Sequence, residues 1–127
     1  MVNDLKFYKT ERVLFEELYK QRIKGKEIQT IFNKLVRHYK LDVLLIHRAR
    51  YHGYFRGRPY GSTIDLPKEI ALGLLAHEIA HAIDYKKRKT SNHDKKLMTV
   101  LTRVNNYCAK KNYWRKENGI TNISTEG

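Results

Sequence analysis

Apolar residues recur at helical spacing twice in the first third of the chain. After Thr10, which suits an N-cap, Val13, Leu14, Leu18 and Ile23 predict a first helix, and Gly25 suits its C-terminal stop. Ile28, Ile31, Phe32, Leu35, Val36 and Tyr39 form a clean apolar stripe and predict a second, amphipathic helix. The rhythm changes at Leu41. Val43–Ile46 is a short branched run suited to a buried strand; Tyr51–Arg58 is aromatic and punctuated by glycine, and Gly61–Leu66 is bounded by Gly61 and Pro67. Turns around Gly53 and across residues 57–61 would join these three segments as an antiparallel meander.

Pro67 suits the first turn of a helix, and from Lys68 to about Lys86 the chain reads as one. Its apolar residues leave almost no polar face except through His77, Glu78, His81 and Asp84, so this helix must be largely buried. Lys86–Lys89 supplies cations at its C-terminus, and Thr90-Ser91-Asn92 is loop and cap material. Leu97, Met98, Leu101, Val104 and Cys108 mark a last helix, followed by a polar tail over residues 115–127. The expected architecture is α+β in one domain spanning residues 1–127, with its core at about 10–112. It has two N-terminal helices, a small three-stranded antiparallel sheet, a buried helix and a C-terminal helix.

Composition narrows the chemistry. At 127 residues and 41% hydrophobic, the chain is long enough for one modest core. No apolar run approaches the roughly 20 residues that cross a bilayer, and the N-terminus lacks a signal-peptide core, which places the protein in a cytoplasm, its own or a host's. The single cysteine, Cys108, excludes a metal site built on cysteine pairs. The 26 Lys and Arg against 13 Asp and Glu give a net charge of +13. Such a field draws in polyanions, nucleic acid above all, and equally describes a basic solubilising surface.

The buried helix carries His77-Glu78-Ile79-Ala80-His81. Histidines at i and i+4 share a helix face, so their imidazoles can converge on one tetrahedral ion, and the glutamate between them reaches its water as general base. Chance alone yields this pattern in roughly 2 of 100 shuffles of such a composition, so context carries the argument. Three polar side chains on an apolar helix are costly unless something satisfies them, and a cation with bound water satisfies all three. His93, beyond a loop that lets the chain reverse, is the candidate third ligand. Asp84 stands about 10 Å along the axis from His77, too far to share the ion. It reads either as an acceptor orienting an imidazole or as a surface partner for nearby lysines. His38, His47 and His52 read as packed or exposed residues.

Two further segments bear on partners. Ser62, Thr63 and Ile64, as a sheet edge beside the cleft, would hold an extended peptide by strand addition. Arg48, Arg50, Arg56 and Arg58, interleaved with Tyr51, Tyr54, Phe55 and Tyr60, suit single-stranded nucleic acid, and equally a solvated hairpin with aromatic cross-strand pairs.

Two stretches, residues 75–82 (LAHEIAHA) and 91–97 (SNHDKKL), resemble the SprT-like (Spartan-type) metallopeptidases, compact zincins. The order of elements is also similar, and the likeness runs over roughly Thr10 to Tyr107. It implies a zinc peptidase with His77, His81 and His93 as ligands and Glu78 as general base, acting on protein substrates associated with DNA. Asn92 and Asp94 stand where that family carries glycines, and one cysteine excludes its C-terminal zinc ribbon from this chain. A different class also fits: a nucleic-acid-binding or virion-associated protein whose metal is purely structural. A metal-dependent hydrolase of a non-peptide substrate is a third.

Overall fold

The N-terminal segment buries Phe7, Glu11, Phe15 and Leu18, one residue per turn. That phase, rather than the one through Val13 and Leu14, faces the core; Val13 is 77% exposed. The computed structural model describes residues 4–59 and 61–111, so the tail at 115–127, and Tyr60 with it, lie outside the described residues. Helix α1 (Asp4–Leu14) and the short α2 (Glu16–Lys20) meet at a bend on Phe15. Thr10 therefore sits inside a helix instead of capping one. Ile23 belongs to a strand, β1 (Arg22–Lys24), after which Gly25 takes a positive φ of 56° at the entry to α3 (Lys26–Tyr39). Helix α3 buries the expected stripe of Ile28, Ile31, Phe32 and Leu35.

The next three strands are β2 (Val43–Ile46), β3 (Tyr54–Arg56) and β4 (Ser62–Asp65). Their order is β2-β4-β3, with β2 parallel and β3 antiparallel to β4, so the sheet is mixed rather than an antiparallel meander. The buried Asp65 carboxylate fixes the end of β2. It accepts hydrogen bonds from the backbone N–H groups of Arg48 and Ala49, both at 2.8 Å, and so turns the chain away as it leaves β2. Strand β4 then enters between its neighbours. Ser62, Thr63 and Ile64 consequently lie on a central strand with both edges paired, and the expectation that they hold a peptide at a free edge is corrected.

A second correction concerns the approach to the buried helix. Residues Glu69–Ala71 form β5, paired antiparallel with β1 in register Ile23↔Ile70. The helix itself, α4 (Leu72–Arg88), starts only after that ladder, and the Leu72 N–H donates to the Gln21 carbonyl at 2.7 Å. Tertiary pairing has overridden local helix propensity here. Its consequence is positional, because the β1–β5 ladder fastens α1 and α2 against the first turns of α4.

Helix α4 ends at Lys89 in the left-handed conformation, and α5 (Lys95–Lys110) begins at Asp94, whose side chain accepts from the Leu97 N–H. Leu97, Leu101, Val104 and Cys108 of α5 are buried with Leu75, Ala76, Ile79 and Ala80 of α4 in the central core. No described helix is long and apolar enough to cross a membrane.

Truncating Leu18, 1% exposed, to alanine should cost about 2–5 kcal/mol. Val13→Ser should stay within about 0.5 kcal/mol. Chemical denaturation of both variants checks the helix phase; the reverse ranking would restore the stripe through Val13.

Candidate metal centre

Helix α4 places His77 and His81 one turn apart, and the reversal after Lys89 returns His93 to them. The Nε2 atoms of His77 and His81 are 3.2 Å apart, and those of His81 and His93 are 3.3 Å apart. All three candidate ligand atoms lie within 4.8 Å of one another, so these histidines can hold a metal ion.

The opposite ring nitrogens set the tautomers. His77 Nδ1–H donates to Glu11 Oε2 at 2.7 Å. His81 Nδ1–H donates to Ser91 Oγ at 2.7 Å, since the Ser91 hydroxyl gives its own hydrogen to Asp84 Oδ2 at 2.9 Å. Both imidazoles therefore aim an Nε2 lone pair at a common point. Two imidazole nitrogens at this spacing repel unless a proton or a metal cation lies between them, and the donor set fits a divalent ion. Imidazole donors suit zinc among several metals.

Sequence reasoning missed the supports. Glu11, buried to 1% exposure, also accepts from Tyr19 Oη at 2.6 Å. Its other oxygen, Oε1, is buried with no hydrogen-bond partner among the described residues. A Cβ at Gly73 would lie 2.7 Å from the Tyr19 ring, so the missing side chain lets that ring close on α4. Glu11 lies 66 residues from His77, beyond any local motif. One signal was available: it lies in the buried phase that runs from Phe7 on α1 through Phe15 to Leu18 on α2.

Asp84 is not near the ligand nitrogens. It reaches His81 through Ser91 and is clamped by Arg88, whose Nε and Nη2 donate at 2.7 and 2.6 Å. Burial pushes its carboxyl up, but the hydrogen bonds from Arg88 and Ser91 outweigh this and leave it below the ordinary carboxylate range. Arg88 also pairs with Asp94, the cap of α5, at 3.3 Å. The loop that delivers His93 is thus tied at both ends.

Glu78 is 4% exposed, and burial pushes its carboxyl up to about 7. It packs against Gly53, where an added Cβ would come within 3.0 Å of its Oε2. The cleft beside it encloses about 1010 Å³ and is walled by α1, the start of α4 and the segment 50–55. Of the four arginines, Arg50 lines this cleft, Arg48 lies where the chain leaves β2, Arg56 lies on β3, and Arg58 borders a separate pocket. Phe55 is half-buried on the cleft wall, its ring 6.3 Å from that of His81 and 5.5 Å from that of Tyr85. His38 stacks on Tyr107, and His47 Nδ1 bonds the Leu66 carbonyl, so neither joins the site. His52 reaches the cleft wall.

The two α4 imidazoles are tuned oppositely. Burial, with His77 and His93 nearby, pushes His81 down to about 3. Burial also lowers His77, but the hydrogen bond and charge of Glu11 outweigh it and raise that imidazole above its ordinary value. A metal takes only neutral imidazole, so acid should compete at His77 and not at His81. Affinity for zinc should weaken by about tenfold per pH unit as pH falls below the His77 range. Zinc titrations between neutral and mildly acidic pH check the sign; an affinity that rises on acidification contradicts it. Glu11→Gln should weaken metal binding by about 10–100-fold. It should also drop the His77 titration midpoint, read by NMR of the metal-free protein, because burial then acts with less opposition.

Comparisons with protein-family models, with curated proteins and with solved structures return no significant match to this chain.

Proposed function

We propose that this chain is a zinc-dependent peptidase of the SprT-like kind. The observation that carries the reading is the convergence of His77, His81 and His93 beside a buried glutamate at the floor of an open cleft. Bound there, zinc would supply Lewis-acid polarisation of a carbonyl and a water acidic enough to attack it near neutral pH. Glu78 would accept the proton of the attacking water and pass it to the leaving amine. Its carboxyl, raised to about 7 by burial, is matched to gaining and losing a proton near neutrality.

Strand β3 flanks the same cleft, and its outer edge has no strand partner among the described residues. An extended peptide can add there by main-chain hydrogen bonds, which moves the expected docking edge from β4 to β3. Exposed Tyr51 and Tyr54, with Arg50 on the same wall and a net charge of +13, fit a client held on nucleic acid.

The test is metal analysis together with cleavage of unfolded and DNA-bound basic proteins. Glu78→Gln should retain zinc and lose about 10²–10⁴-fold in turnover. Equal turnover in both proteins would remove Glu78 from the chemistry. A zinc-loaded native chain that cleaves no protein, yet binds DNA with steep salt dependence, would favour a structural metal in a nucleic-acid-binding protein.

A further inference from the structure

The metal reading of the three histidines has a geometric extension on α1. Around an ion bonded at roughly 2.0–2.1 Å, neighbouring tetrahedral ligand atoms stand about 3.3–3.4 Å apart. Two of the three histidine pairs meet that spacing at 3.2 and 3.3 Å, and the trio spans at most 4.8 Å, so the wider pair closes in when the ion binds. The phenol oxygen of Tyr8 stands 3.3 Å from His93 Nε2, the same edge length again. Its ring leans over the cluster, with its centroid 4.9 Å from that of His93 and 5.9 Å from that of His77. Phe7, buried beside it, sets the register. Its ring packs edge-on against His77 at 6.0 Å and lies 5.1 Å from His93. Helix α1 therefore brings an oxygen donor within reach of the cluster on its His93 side.

We propose that Tyr8 is the fourth ligand of the bound ion, its phenolate oxygen closing the site in this conformation. On ligation the phenol O–H bond breaks, the oxygen's electron pair forms the bond to the metal, and the proton leaves to solvent. A metal site with four protein ligands has no open position. A substrate carbonyl can then enter only after Tyr8 swings away, and at 43% exposure its ring can leave without opening the core. The tyrosine restrains the site from within the chain.

Copper(II) at one equivalent is the probe, because imidazole sites bind it more tightly than zinc and phenolate ligation gives it a visible charge-transfer band. The native protein should show that band, and Tyr8→Phe should lose it while still binding copper. A copper-loaded native protein without the band overturns the proposal, as does an undiminished band in Tyr8→Phe. Should Tyr8→Phe fail to fold, the native spectrum decides alone. A chain that takes up no copper overturns both this ligand and the metal reading. A band that responds to Tyr8→Phe in a protein with no hydrolytic activity removes the peptidase and leaves the ligand standing.

Discussion

Helix α4 carries imidazoles and a carboxylate into largely buried positions at the floor of the cleft, and much of the architecture answers that constraint. A buried polar group without a partner costs about 1–3 kcal/mol, and a charged one more. His77 meets the cost through Glu11 on α1, and His81 through Ser91 on the loop before α5. Neither partner lies on α4. The β1–β5 ladder brings the first to it, and the Arg88–Asp84–Asp94 clamp brings the second. Elements that look like connecting structure are thus the means by which side-chain nitrogens acquire a direction.

The same arrangement divides protonation between neighbours. His81, held low, stays a neutral donor through mildly acidic pH, while Glu11 lets His77 keep a proton until something stronger displaces it. Glu78, also desolvated, is raised towards neutrality although a partly charged imidazole sits beside it. Three groups within one helical turn and a half therefore respond differently to acid. The difference comes from burial, which acts on all three, and from Glu11, which overcomes it only at His77.

What could be read from the chain follows the range of the interaction concerned. His77 and His81 were legible because helical spacing alone puts them on one face, Glu78 because it stands between them, and His93 because a cap-rich loop must reverse the chain. The α+β class and the stripe of α3 were legible for the same local reason. The sheet order was not: it rests on β4 pairing with β2 some twenty residues earlier, and local spacing does not say which edge a strand takes. The start of α4 was misplaced because β1, nearly fifty residues earlier, claims Glu69–Ala71 as a strand partner. Val13 and Leu14 misled the phase of α1, where the informative residue was a glutamate lying in line with two phenylalanines and a leucine. Glu11, Tyr8 and Tyr19 act across long separations and leave no spacing to recognise.

Gly73 carries this dependence into the backbone. Glycine stiffens a helix less than alanine does, and Gly73 stands in the first turn of α4, where a methyl group would otherwise be welcome. That methyl would occupy the space of the Tyr19 ring, which steadies the carboxylate that steadies His77. Backbone stiffness and the support of His77 therefore pull in opposite directions at this position, and glycine keeps the support.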